Sequence, residues 1–261
     1  MNENKTERYK VPGLERGLLI LSAFNREQKE LGAPELASRL QLPRSTVYRL
    51  LMTLENLGFL ERSHCGRKYC LALPVLRLGF EYLASLNLVQ IGEQVLRRLS
   101  EKTASQCNLV VRDGRAAVYV ARVAPPTPFV SSLSIGTRLP IHATVAGRVL
   151  AQDLSLEELQ VLYSEKELEI HTDQTPKNLE QFLALINIDK ERGYALGNAF
   201  FEKNISTVAA PVRDQSGLVV AALGVTVMQS EVIDGLNLDE LAVSAKAAAD
   251  ELSLLLNYRG Q

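Results

Sequence analysis

Three short helical patterns, separated by turns of only a few residues, occupy the first 58 positions of the chain. The first has one apolar face, formed by Leu14, Leu18, Leu21 and Phe24. The second begins at Pro34, and the third begins at Pro43 and ends at Gly58. Proline suits the first positions of a helix, and glycine is a common helix terminator. This spacing fits few folds, and it predicts a helix-turn-helix.

The third helix has a polar face that suits contact with DNA. Its outward residues near the N-terminus are Arg44, Ser45, Thr46, Tyr48 and Arg49. In a helix-turn-helix the first turns of the second helix enter the major groove, where arginine binds guanine and hydroxyls reach bases or phosphates. We therefore predict that these five residues bind DNA.

A basic hairpin is predicted directly after the third helix. The strand-like runs are 59–63 and 68–71, and a four-residue turn joins them. Arg62, Arg67 and Lys68 would direct positive charge at phosphates or the minor groove, which makes the hairpin a DNA-contacting wing. The alternative is that the helices and hairpin form a packing or dimerisation module whose arginines are only solvated.

No metal site and no disulfide framework are expected. His64, Cys65 and Cys70 lie close together, but they offer only three ligands in a spacing that matches no common zinc motif. The chain has three cysteines and no C-x-x-C pair, which favours a reducing cytoplasm. The N-terminus lacks the apolar core of a signal peptide, and no apolar run is long enough for a bilayer. We expect a cytoplasmic protein without a membrane partner.

The charge of the chain is unevenly distributed. Residues 1–73 contain 12 Lys and Arg against 8 acidic residues, whereas the rest contains 17 against 22. A basic module is thus joined to an acidic one. We predict a DNA-binding domain over 1–73, a linker helix over 74–88 and a second domain over 89–261.

The second domain alternates strand and helix patterns. Strands are predicted at 108–112, 116–122, 129–135, 194–200, 205–212 and 218–228, and helices at 89–103, 156–163, 178–192 and 238–257. This order indicates an α+β domain, an antiparallel sheet with helices on one face. The usual nucleotide-binding, serine-hydrolase and zinc-peptidase motifs are missing, so neither a cofactor nor catalysis is expected.

The chain resembles the IclR family of bacterial transcription regulators. Three stretches carry the resemblance: 42–51, reading LPRSTVYRLL; 139–148, reading LPIHATVAGR; and 193–195 followed by 208–212, reading GYA and VAAPV. It implies a winged helix-turn-helix joined to a GAF-like effector-binding domain. It also implies operator DNA bound by a homodimer or homotetramer, under control of a small metabolite, frequently an organic or aromatic acid. The family usually has a glycine before the Ala-Ala-Pro strand, where we expect Asn204 to adopt the left-handed backbone.

The second of these stretches suggests an effector pocket. A helix starting near His142 would direct the backbone N–H groups of Ala143 and Thr144 at an anion. Gly147 would let the sheet or a ligand approach closely, and Leu139 and Ile141 would hold the carbon skeleton. By resemblance, the other wall would use Asn198, Thr207, Gly224 and Thr226. The alternative is that His142 and Thr144 cap a helix and that Gly147 only permits tight packing.

These observations leave three classes of function. The preferred one is a DNA-binding regulator, not an enzyme, whose operator binding responds to a small acid. The second is an enzyme that processes a small acid, with His142 as base, fused to a DNA-binding module; the lack of a paired nucleophile or metal set argues against it. The third is a structural DNA-binding protein without a ligand.

Overall fold

A computed structural model describes residues 10–25, 27–63, 66–85, 87–125 and 133–260 of the chain. The described residues divide after Ser85 into two compact units. None of the described helices is long and apolar enough to span a bilayer.

The first unit is a small helical domain with a three-stranded antiparallel sheet. Its elements are α1 (Pro12–Ser22), β1 (Leu31–Gly32), α2 (Ala33–Leu40), α3 (Arg44–Asn56), β2 (Leu60–Arg62), β3 (Lys68–Leu71) and α4 (Leu73–Ser85). The sheet order is β1-β3-β2. Left-handed Gln41 (φ 53°) ends α2 and makes the tight turn into α3. The winged helix-turn-helix predicted from the sequence is confirmed.

One apolar core holds this unit together. The helices α1, α2 and α3 contribute buried side chains at helical spacing, and the strands add Leu31, Leu60 and Tyr69. The most buried members are Ile20, Leu36, Val47, Leu51, Leu60 and Tyr69. Because Val47 and Leu51 face this core, the opposite side of α3 is left to solvent.

The second unit is built on a six-stranded antiparallel sheet of order β6-β5-β4-β9-β8-β7. Its strands are β4 (Gln106–Asp113), β5 (Ala116–Val123), β6 (Arg138–Pro140), β7 (Ala195–Asn198), β8 (Ile205–Arg213) and β9 (Val219–Met228). Its helices are α5 (Asn87–Thr103), α6 (Val145–Leu150), α7 (Leu156–Leu162), α8 (Leu179–Arg192), α9 (Gln229–Ile233) and α10 (Leu238–Leu255). The predicted α+β fold is confirmed.

Helices cover both faces of this sheet, so the prediction that they lie on one face is wrong. Leu109 of β4 points toward α5 and α10, whereas its neighbour Val110 belongs to the core under α6, α7 and α8. The physical reason is that the central strands are buried on both sides: β9 is buried continuously from Ala221 to Val227. A strand without polar alternation needs cover on each face.

The predicted strand at 129–135 is not found where it was expected. Residues 129–132 lie outside the described part of the chain, and 133–135 form no strand. The edge strand lies instead at Arg138–Pro140, where it pairs with β5.

The segment after this strand also differs from the prediction. Residues Ile141–Ala143 form a single 3-10 turn, and α6 begins only at Val145, after Thr144. The Thr144 hydroxyl accepts from the Gly147 N–H at 3.1 Å and donates to the Pro140 carbonyl at 3.2 Å. A helix starting near His142 is therefore wrong, because this hydroxyl fixes the start three residues before Gly147.

Gly147 packs against the backbone of this turn, which leaves no room beside it for a ligand or for the sheet. A Cβ atom at Gly147 would lie 2.1 Å from the Ile141 carbonyl oxygen. Of the alternative interpretation, the cap by Thr144 and the close packing at Gly147 are found, whereas a cap by His142 is wrong, because its Nε2 atom lies 2.9 Å from the Glu169 carbonyl oxygen instead.

The loop between β7 and β8 is set by Ala199. Its φ of 56° is left-handed, and its N–H donates to the Ile205 carbonyl at 2.8 Å. The expectation for Asn204 is wrong, because the chain reverses five residues earlier. Thr172 and Thr175 fix the same loop, since their hydroxyls donate to the Phe200 carbonyl at 2.9 and 3.0 Å.

A buried ion pair joins three elements of the second unit. The Arg148 Nε atom of α6 donates to the Asp189 Oδ2 atom of α8 at 2.6 Å, and both side chains are almost fully buried. A second guanidinium nitrogen donates to the Leu196 carbonyl of β7 at 2.6 Å. The guanidinium carbon lies 4.3 Å from the centre of the Phe200 ring. Arg148 therefore fixes α8, β7 and the following loop against α6.

We predict that Asp189→Asn lowers the free energy of unfolding by about 3–5 kcal/mol, because it leaves the buried Arg148 charge uncompensated. Urea denaturation measures the change. The matched control is Glu251→Gln, which removes the same charge from the exposed Arg98–Glu251 pair and is expected to cost less than about 1 kcal/mol. Equal losses in the two variants would show that the buried pair does not organise the unit.

Candidate functional site

The first candidate surface is the N-terminal half of α3. Arg44, Ser45, Tyr48 and Arg49 are exposed there, whereas Thr46 is half-buried. Pro43 caps the helix in an extended conformation, which separates this face from α2. The structure therefore brings four of the five predicted residues together on one open face.

Two of the three basic residues of the hairpin form salt bridges, and the third is exposed. Arg62 is held by the protein: its Nε atom donates to the Glu55 carboxylate of α3 at 2.8 Å, and its guanidinium lies over the Tyr69 ring. Lys68 pairs with Glu35 at 3.5 Å. Arg67 is exposed at the tip, beside residues 64 and 65, which are outside the described part of the chain. The Arg62–Glu55 bond orients the hairpin relative to α3.

The second candidate site is a cavity on the face of the large sheet that α6 covers. It encloses about 500 Å³ of empty space, including its open mouth. It is lined by Tyr119, Leu133, Leu139, Thr144, Val145, Ala146, Gly197, Phe200, Phe201, Glu202, Ile205, Thr207 and Thr226. Small-molecule sites of proteins have this mixture of apolar walls with a few polar groups, although only about 40 Å³ of the space here is open to the centre of a water molecule.

Four of the residues predicted for an effector line this cavity: Leu139, Thr144, Thr207 and Thr226. Thr207 of β8 and Thr226 of β9 are direct cross-strand neighbours. Thr144 contributes to the wall, but both hydrogen-bonding roles of its hydroxyl are used by the turn before α6.

The other six predicted residues do not line it. Ile141 and Ala143 are buried in the core, and Gly147 packs on the Ile141 backbone. Gly224 lies on the cavity face of β9 but outside the lining. Asn198 is exposed because the cavity residue of β7 is its neighbour Gly197, and consecutive strand residues point to opposite faces.

His142 faces away from the cavity. Its Nε2 atom lies 2.9 Å from the Glu169 carbonyl oxygen, and its ring meets Tyr163 edge-on. It therefore holds the segment after α7 in place. Burial is the main cause that lowers the pKa of His142, so the ring is neutral near pH 7.

Three aromatic rings in the cavity wall were missed by the sequence analysis. Phe200 and Phe201 belong to the loop after β7, and Tyr119 lies on β5. Burial raises the pKa of Tyr119 to about 12, so its hydroxyl stays protonated. The one available signal was the alternation of β5, which places Tyr119 on the same face as Ala117.

The described residues contain no group of three metal-ligating side chains. The arrangement offers an exposed basic helix face in one unit. In the other it offers a cavity whose lining combines apolar side chains with one carboxylate and four hydroxyls, of which that of Thr144 is used by the turn before α6.

Comparisons with known proteins match both units. The model of the IclR helix-turn-helix domain matches residues 13–64, and that of the bacterial transcriptional regulator IclR C-terminal domain matches residues 80–254. The transcriptional regulator XynR of Escherichia coli is 30% identical over 95% of this chain and 98% of its own length. The p-hydroxybenzoate hydroxylase transcriptional activator of Acinetobacter baylyi is 30% identical over 97% of this chain and 94% of its own.

A solved structure has the same fold. It is an IclR homolog from Microbacterium hydrocarbonoxydans in complex with 4-hydroxybenzoate, with a TM-score of 0.81, 22% identity, and coverage of 94% of this chain and 99% of that one. The named relatives are regulators of transcription, which confirms the prediction that this chain is not an enzyme.

We predict that the wild-type protein loses stability as the pH falls below about 6.5, the ordinary histidine pKa. The lowered pKa of His142 means that the unfolded chain takes up the proton first, so the stability is complete above that pH and decreases toward the lower folded pKa. Urea denaturation between pH 8 and pH 5 measures this slope. In His142→Asn the slope should be shallower, and an identical slope in the two proteins would contradict the assignment.

Proposed function

The chain belongs to the IclR family of bacterial transcription regulators, which bind DNA under the control of a small metabolite, and we propose which surfaces and which class of metabolite it uses. The observation that carries the proposal is the pairing of an open, basic N-terminal face on α3 with an aromatic-walled cavity in the second unit.

We assign operator contact to the exposed face of α3 and to the hairpin. Arg44 and Arg49 would read base edges in the major groove, with Ser45, Thr46 and Tyr48 on bases or phosphates. In the hairpin, Arg67 is open to a phosphate, while Arg62 and Lys68 would have to share their charge with Glu55 and Glu35. The salt bridge between Arg62 and Glu55 supports a second role for Arg62. It would hold the wing at the angle that double-stranded DNA requires.

We assign effector binding to the cavity, and an aromatic monocarboxylic acid is the class that fits it best. The rings of Tyr119, Phe200 and Phe201 offer an apolar clamp for a flat ring. Thr207 and Thr226 offer hydroxyls to the polar end. The 4-hydroxybenzoate complex of the Microbacterium homolog supports the same class.

The remaining assignments concern organisation. We propose a DNA-binding domain over 1–73, a linker over 74–88 and an effector domain over 89–261; the division after Ser85 falls within that linker. We further propose a homodimer or homotetramer. Support comes from an apolar groove of the first unit, whose exposed members include Leu14, Leu18, Leu57 and Leu78. We also propose that the protein is cytoplasmic, because the operator DNA that it binds lies in the cytoplasm.

We expect Arg44→Ala and Arg49→Ala each to weaken operator binding by about 1–3 kcal/mol and to relax the base preference at one position, because a base-reading arginine is lost. Electrophoretic mobility shift and footprinting on the operator measure both effects, and the wild-type footprint should contain two related half-sites. The matched control is Arg112→Ala, which removes an exposed arginine from the second unit. Wild-type affinity in the Arg44/Arg49 double variant would overturn the assignment.

For the effector cavity, the informative change is Gly197→Ala. A Cβ atom there would lie 2.7 Å from both Phe200 and Val145, so both of these lining side chains must shift and the wall of the cavity changes shape. We expect affinity for benzoate, 4-hydroxybenzoate or 3,4-dihydroxybenzoate to fall about tenfold or more, with a matching loss of their effect on operator binding.

The matched control is Asn198→Ala, one residue further along β7 and outside the cavity, which should keep wild-type affinity. Calorimetric titration checks both variants. If none of the three acids binds the wild type, the proposed class of effector is wrong. If Gly197→Ala binds as well as the wild type, the proposed cavity is wrong.

A further inference from the structure

A row of polar side chains crosses the cavity face of the large sheet. It consists of Arg122 on β5, Gln106 and Asn108 on β4, and Thr226 on β9, and it is called here the polar row. Gln106, Asn108 and Thr226 are buried, and Arg122 is half-buried. Only Thr226 lines the cavity. Buried polar groups are costly unless they are hydrogen-bonded, so such a row needs a physical account.

Hydrogen bonds connect the four residues in sequence. The Arg122 Nη2 atom donates to the Gln106 Oε1 atom at 2.7 Å. The Gln106 Nε2 atom donates to the Asn108 Oδ1 atom at 3.3 Å, and the Asn108 Nδ2 atom donates to the Thr226 Oγ1 atom at 3.4 Å. The row therefore links a cation on β5 to a hydroxyl in the cavity.

Arg122 fixes the direction of every bond in the row. A guanidinium can only donate, so the amide oxygen of Gln106 must face it and the amide nitrogen must face away. Asn108 must then present its oxygen to Gln106 and its nitrogen to Thr226. The Thr226 oxygen accepts from Asn108, which leaves its O–H to donate into the cavity. The side-chain dipoles of the row therefore all point their positive ends along the row toward the cavity.

The charge of Arg122 has no counter-ion in the described part of the chain. Its two hydrogen-bond acceptors are neutral, the Gln106 amide and the Leu133 carbonyl, and its buried Nε atom has no hydrogen-bond partner there. Arg148, by contrast, has Asp189. A half-buried cation beside a cavity favours an anion within it. The one carboxylate of the lining, Glu202, is exposed, yet after burial its charge is the second cause that raises the pKa of Tyr119, so it acts against an anion and Arg122 acts for one.

We propose that Arg122, acting through Gln106 and Asn108, fixes Thr226 as a hydrogen-bond donor, and that this donor together with the Arg122 charge makes the cavity favour the carboxylate of its effector over a neutral amide, whose carbonyl is a weaker acceptor. Thr226 contacts the ligand, while the other three are positioning residues. Thr207 has no link to the row and can donate or accept. This inference rests on the proposed function of the cavity as the effector site.

The decisive variant is Gln106→Glu, which keeps the size of the side chain and reverses the row. A carboxylate at position 106 would pair with Arg122 and accept from Asn108, so the Asn108 oxygen would turn toward Thr226. The Thr226 O–H would then donate to Asn108, and its lone pairs would face the cavity. A cavity that selects an acceptor becomes one that selects a donor.

The measurement is the ratio of the affinities for 4-hydroxybenzoate and 4-hydroxybenzamide, by calorimetric titration. The wild type should favour the acid tenfold or more, and Gln106→Glu should favour the amide. Arg122→Met should lose most of the preference, and Arg122→Lys should recover part of it, because a donor-only cation returns. Asn198→Ala, an exposed residue of β7 outside the cavity and the row, should keep the wild-type ratio.

A second measurement needs no ligand. If the row is continuous, Arg122→Met and Thr226→Val should be non-additive, although their side chains do not touch. The loss of thermal midpoint caused by Thr226→Val should be smaller in the Arg122→Met background than in the wild type. Additive losses would overturn the inference, whatever the ligand does.

The outcomes separate this inference from the proposed function. If the acid binds and alters operator affinity, yet the ratio is the same in Gln106→Glu and the wild type, the inference is wrong and the effector function stands. If neither probe binds the wild type while the two changes remain non-additive, the row is only structural, and both the selection and the proposed effector class are wrong.

Discussion

The effector domain depends on one buried charge pair. Arg148 and Asp189 meet where α6, α8 and β7 converge, and the same guanidinium holds the Leu196 carbonyl and stacks on Phe200. Because a buried charge is expensive unless it is paired and hydrogen-bonded, these elements have few alternative arrangements. The position of Phe200, and with it the width of the cavity, follows from this pair. A structural ion pair thus shapes the wall of the proposed effector cavity, which it contacts through Phe200.

Two differently used arginines organise the same face of the sheet. Arg148 has a carboxylate partner and serves the fold, whereas the partners of Arg122 among the described residues are neutral, which is why we assign its charge to a ligand. In the DNA-binding domain the same contrast separates Arg62, which Glu55 holds, from Arg44 and Arg49, which are open to solvent. In both domains the arginine without a carboxylate partner is the one to which we assign recognition.

Local signals in the sequence were sufficient for the helices of the first domain and the fold class of the second, but not for the edge strand, the second helical layer or the cavity. Proline and glycine positions and the period of the apolar residues gave the helices of the first domain, since these depend on neighbours within a few residues. The start of α6 was misplaced because the Thr144 cap and the close contact of Gly147 with Ile141 depend on tertiary geometry. Asn198 was chosen instead of Gly197 through a shift of one residue, which in a strand exchanges the faces. The polar row joins Asn108 to Thr226, 118 residues apart, and no pattern along the chain reveals such a contact.

Effector and operator bind the same regulator, and each is expected to influence the affinity of the other. Thermodynamic linkage requires that influence to be reciprocal. The most direct test is calorimetric titration of 4-hydroxybenzoate into the protein, alone and saturated with operator DNA, beside the operator affinity with and without the acid. The acid affinity should change on DNA binding by the same factor as the operator affinity changes on acid binding. An acid affinity that is identical in the free and the operator-bound protein would show that the two ligands do not influence each other.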